Sequence, residues 1–142
     1  MMNKKNTDDL MHELISSGNL SNFLVDNEAE FINEDFSGML QELFRRSGLT
    51  KAALAKRAGT SEVYLYQIFS GERSPSRDRV ICLCFGLSAT LEETQMLLKR
   101  SGLALLYVKN RRDAIIMYGL THRMKLEEIN DQLFSEEEAT LC

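Results

Sequence analysis

Few residues in this chain have the types and spacing needed to make or break bonds. Cys82 and Cys84 lie two apart on a predicted helix and so face different ways, with no further Cys or His cluster to complete a metal site. Cys142 stands alone, and His12 and His122 lack both a triad partner and a His-Glu-x-x-His neighbour. No phosphate-cradling glycine loop is present. The acidic runs Leu91-Glu92-Glu93 and Leu126-Glu127-Glu128 suit helix N-termini, where carboxylates favour the free N–H groups. These patterns predict no catalytic residue, no metal and no cofactor, and hence no enzyme. What remains is recognition chemistry, concentrated in SEVYLYQIFSGERSPSR at residues 61–77. That stretch mixes apolar residues with a carboxylate, an amide, phenols, hydroxyls and arginines.

The residues just before it impose a geometry. Ala55 is small, Gly59 follows at +4, and the apolar Leu65 and Ile68 follow at +10 and +13. Two short helices crossing steeply need a small residue at the crossing point and a turn residue tolerant of left-handed angles. They also need apolar side chains returned from the second helix. LTKAALAKRAGTSEVYLYQIFSGERSPS resembles the phage-repressor and Cro class of helix-turn-helix, the XRE or lambda-repressor-like family. Leu54-Ala55, Gly59, Ser61, Leu65, Gly71 and Pro75-Ser76 carry the resemblance, which covers residues 36–104. It implies a five-helix DNA-binding domain whose third helix, about 61–70, enters the major groove.

At about 100° per residue, Leu65, Ile68 and Phe69 point toward a core. Glu62, Val63, Tyr66, Gln67 and Ser70 point away, with Tyr64 at the edge. Gln67 suits bidentate bonding to adenine, Val63 a thymine methyl, Glu62 a cytosine amino group and Tyr66 a sugar or methyl. The expected base-reading set is therefore Glu62, Val63, Tyr66 and Gln67. The expected DNA-backbone set is Lys51, Thr60, Tyr64, Ser70, Arg73, Ser74 and Arg77, of which Lys51 matches a family contact position by resemblance. Two alternatives stand beside these roles. Val63 and Tyr66 could pack on the N-terminal arm, and Arg73 and Arg77 could be ordinary solvated charges. Glu62 either selects cytosine or weakens DNA binding, since an acid at the tip of a reading helix repels phosphate.

The elements that would position these residues are helical throughout. Apolar residues recur at helical spacing, and neither strand alternation nor hairpin dipeptides occur. Leu10, Met11, Leu14, Ile15, Leu20, Phe23 and Leu24 suggest two short amphipathic helices before the acidic stretch DNEAEFINED at 26–35. Ser37, Thr50, Ser61 and Ser76 read as N-caps, Thr90 and Glu93 as a capping box, and Gly48, Gly71 and Gly102 as stops. The expected fold is all-α: an acidic N-terminal helical arm (1–35), the five-helix domain (36–104), and a C-terminal helical hairpin extension with an acidic tail (105–142). A weak repeat runs through the second half. Arg77-Asp78 and Val80-Ile81 match Arg112-Asp113 and Ile115-Ile116 at an offset of 35, as if two similar helical hairpins lay side by side. Chance similarity is the competing reading.

Charge follows the same divisions. Residues 36–123 carry a balance of +7, against −6 for residues 1–35 and −5 for residues 124–142. A basic middle between acidic ends suits an anionic partner for the middle. The absence of an apolar leader or membrane span, with three cysteines, suits a cytoplasmic protein. The combined expectation is sequence-specific double-stranded DNA binding by a transcriptional regulator, acting as a homodimer on a palindromic operator. The alternative is a protein-interaction adaptor or antitoxin-like module with a regulatory protein partner. Residues 26–35 are also expected to compete with DNA for the basic face.

Overall fold

The computed structural model describes residues 5–28 and 36–142. Among these residues the secondary structure is entirely helical: α1 (Thr7–Ser16), α2 (Leu20–Asp26), α3 (Phe36–Ser47), α4 (Lys51–Arg57), α5 (Glu62–Phe69), α6 (Arg77–Gly86), α7 (Leu91–Arg100), α8 (Arg111–Thr121) and α9 (Leu126–Ser135). The chain forms two compact units, Met1–Asn33 and Glu34–Cys142. No described helix is long and apolar enough to cross a membrane. The expected competition by residues 26–35 falls largely on residues 29–35, outside the described residues.

In the first unit, α1 and α2 are the two expected short helices. Asn6 and Asn19 cap them by accepting from the N–H groups of Asp9 and Asn22. Lys5 bridges Glu13 and Asn27, each at 2.6 Å.

The second unit takes its shape from a central helix. Every residue of α6 from Val80 to Gly86 is buried, as befits a helix that is apolar on all sides. α4, α7 and α9 pack around it. Leu40, Leu54, Leu65, Ile81, Leu97, Leu98, Ile116, Ile129 and Leu133 form the core. Thr50, Ser61, Ser76 and Thr90 cap α4 to α7 as expected, the last with a complete capping box. Ser37 does not cap α3: the helix has already begun at Phe36, which places Ser37 in its first turn. The C-terminal helices α8 and α9 share the core of α3 to α7 within the unit Glu34–Cys142.

The repeat at 35 residues is a physical one. The hairpins α6–α7 and α8–α9 each open on an Arg-Asp pair, and the pairs cross. Arg77 donates to the Asp113 carboxylate at 3.1 and 2.9 Å, and Arg112 donates to Asp78 at 3.1 and 3.2 Å. Each arginine also closes its own hairpin. Arg77 donates to the carbonyls of Ala104 and Leu105, and Arg112 to those of Ala139 and Thr140, again 35 residues on. The Leu106 N–H donates to Gln95 Oε1, as the Leu141 N–H does to Asn130 Oδ1. Matching polar bonds at matching positions leave chance similarity with little to explain. At the α8–α9 crossing, a Cβ on Gly119 would lie 2.7 Å from Ile129 Cδ1, so a larger residue there would require the buried Ile129 side chain to shift.

Burial alone would raise the Asp113 carboxyl. The Arg77 hydrogen bonds, the Tyr107 N–H and the charges of Arg77 and Arg112 outweigh it and hold the group below the usual carboxylate range. Burial likewise pushes the Cys82 and Cys84 thiols up to about 12, so neither is a thiolate at neutral pH.

Candidate nucleic-acid interface

α4 and α5 meet at the turn Ala58–Ser61. Ala55 and Ala58 are buried, and Gly59 takes φ +64°, in the left-handed region. The Thr60 N–H reaches the Ala55 carbonyl at 2.9 Å, and the Ser61 hydroxyl accepts from the Tyr64 N–H at 3.1 Å. These local bonds set the direction of α5. Leu65 and Ile68 then anchor it, at 0% and 2% exposure.

The opposite face of α5 is open. Val63 is 68% and Tyr66 53% exposed, Glu62 is exposed, and Gln67 is half-buried beside them. Glu62 has no ion-pair partner among the described residues. The residues expected to read bases therefore share one surface.

An aromatic residue stands at each edge of this face and carries cations. On one edge, Lys51 Nζ lies 4.5 Å from the Tyr66 ring centre and 5.4 Å from that of Phe69. Phe69 is fixed in turn by an edge-to-face contact with Phe44 at 5.1 Å. On the other edge, the guanidinium carbons of Arg73 and Arg79 lie 5.6 and 5.4 Å from the Tyr64 ring centre. Arg79 also donates to the Gly59 carbonyl at 3.3 Å, which ties it to the turn. Cation–π contact holds such groups over the ring without neutralising them. Neither Arg73 nor Arg79 has a carboxylate partner among the described residues.

The remaining expected residues divide. Thr60 is half-buried in the turn, and Ser74 is exposed in the loop after α5. Ser70 directs its hydroxyl at the Gln67 carbonyl and accepts from the Glu72 N–H, so it shapes the end of α5. Arg77, expected among the backbone contacts, commits its guanidinium to Asp113 and to the carbonyls of Ala104 and Leu105, so its charge is already compensated within the fold. Arg79, which the sequence reading did not name as a contact, joins Arg73 over Tyr64. The repeat carried the signal, since Arg77 recurs as Arg112 while Arg79 is replaced by Ala114 at the matching position.

Residues 35–97, which span α3 to α6 and most of α7, match a family described as a helix-turn-helix domain. No curated protein and no solved structure matches the chain. The matched stretch is similar to a helix-turn-helix domain and lies among described residues that are all helical, which is consistent with the phage-repressor resemblance.

Proposed function

We propose that this protein binds double-stranded DNA sequence-specifically through α5 and acts as a cytoplasmic transcriptional regulator without catalytic activity. The observation that carries the reading is the open face of Glu62, Val63, Tyr66 and Gln67, bracketed by uncompensated cations. Lys51 stands at one edge, and Arg73 and Arg79 at the other. A reading helix needs this arrangement: hydrogen-bonding and apolar groups for base edges, with positive charge where the phosphates pass on either side. Gln67 takes the adenine role, Val63 the thymine methyl, Glu62 a cytosine amino group and Tyr66 a sugar or methyl. Lys51, Arg73 and Arg79 take phosphates, helped by Thr60 and Ser74 and by Tyr64 as the platform for both arginines. One short helix reads few base pairs, so a homodimer on a palindromic operator supplies the rest of the specificity.

Fluorescence anisotropy on a duplex selected from a random pool tests the assignment. Arg73→Ala and Arg79→Ala weaken binding to all sequences alike and each reduce the salt slope by about one. Gln67→Ala instead relaxes the preference at one base position. Unchanged binding in all three variants contradicts it.

A second reading draws on the exposed Val63 and Tyr66 and the free Glu62 carboxylate. These would also suit an adaptor or antitoxin-like module docking on a protein. Salt separates the two, because DNA affinity falls steeply with ionic strength whereas an apolar contact does not.

A further inference from the structure

Most arginines outside the reading face are paired. Arg45, Arg46, Arg77, Arg111 and Arg112 all have carboxylate partners. The arginines without one, among the described residues, are Arg73 and Arg79 beside α5, Arg100, and then Arg57 and Arg123. The last two line the same cavity. It is about 660 Å³ in volume and is walled by Lys56 and Arg57 from the end of α4, Gly59 from the turn, Ser88, and Arg123 to Lys125 before α9. Arg57 donates only to the Ser88 hydroxyl at 3.0 Å. Lys56, Arg123 and Lys125 have no ion-pair partner among the described residues, and Glu127 is the one acid on the lining. Apolar surface of Phe85, Met124 and Leu126 also lines the space.

We infer that this cavity binds a small organic anion: a carboxylate or phosphate ester carried on an apolar body. Four side-chain cations against the one side-chain carboxylate of Glu127 favour an anionic ligand. The volume lies in the range of small-molecule sites, and concave apolar lining is what an organic body fills and a duplex backbone does not. A bidentate guanidinium such as Arg57 or Arg123 suits either anionic group. The site also touches the helix-turn-helix directly. A Cβ at Gly59 would lie 3.1 Å from Cys142 Sγ and 3.2 Å from Leu126 Cδ2, so the lining around α9 packs on the turn that aims α5. Binding here is independent of whether α5 reads DNA.

The test is amide chemical-shift titration of the full ¹⁵N-labelled chain with matched probes: indole-3-acetate against indole-3-acetamide, adenosine monophosphate against adenosine, and inorganic phosphate alone. The expected result is saturable shifts at Gly59, Ser88, Met124 and Leu126 with at least one organic anion, absent with its neutral partner and weaker with phosphate. Combined Arg123→Gln and Lys125→Gln substitution should weaken that affinity about tenfold or more, since it removes two charge-assisted bonds to the anion. The melting temperature should stay unchanged. Equal shifts with neutral partners, no saturation with either organic anion, or shifts centred on Lys51, Arg73 and Arg79 would each overturn the inference.

Discussion

At the start of α6, Arg77 commits its guanidinium to Asp113 and two carbonyls, while Arg79, two residues on, lies over Tyr64 with no ion-pair partner among the described residues. Substitution should separate their roles. Arg77→Ala leaves the Asp113 carboxylate buried and unpaired, which costs about 3 kcal/mol; urea unfolding checks it, and the folded fraction should keep its DNA affinity. Arg79→Ala should cost no more than about 1 kcal/mol of urea stability, the worth of its hydrogen bond to the Gly59 carbonyl, and weaken DNA binding. The same pair predicts a pH dependence. Because the folded-state pKa of Asp113 is lowered, its contribution is fully present above the unfolded value of about 3.9 and is lost as pH falls below it. Asp113→Asn should therefore flatten the loss of stability between neutral pH and pH values near 3. Outward and inward positions on α5 were legible from periodicity alone, because Leu65 and Ile68 leave the helix one way to sit. The fate of each arginine was not, because it depends on a partner more than thirty residues away.

The helices were legible because their ends are written in side chains. Thr50, Ser61, Ser76 and Thr90 each accept from an N–H three residues on, and Gly48, Gly59, Gly71 and Gly102 take positive φ just past helix ends. α9 departs from that pattern. Lys125 occupies its N-cap and offers no acceptor, although Glu128 accepts from the Lys125 N–H. Lys125→Ser should supply the missing bond and raise stability by about 1 kcal/mol, measured by thermal or urea unfolding. Crossings between helices were harder to see. Gly119 reads as a poor helix residue, yet Gly119→Ala should destabilise by about 1–3 kcal/mol despite its better propensity, because Ile129 fills the space a Cβ would need. The weak repeat held the clue to this packing, but it showed only similarity. That the two Arg-Asp pairs exchange partners follows from the fold.

Across the whole chain, a net charge of −4 conceals a middle segment of opposite sign. Within that segment Arg45, Arg46, Arg77, Arg111 and Arg112 are neutralised by the hairpin repeat and by surface pairs, while one uncompensated set stands beside α5 and another lines the cavity beneath the turn. Total charge is therefore a poor guide to partner here, and the distribution of unpaired arginines a better one. The central claim, that α5 reads duplex DNA, is met most directly by selecting bound fragments from random duplex DNA with the full chain at two salt concentrations. The account predicts enrichment of one palindromic motif, with half-sites about one helical turn apart and retention falling steeply as salt rises. Fragments retained without an enriched motif, or no retention even at low salt, would contradict it.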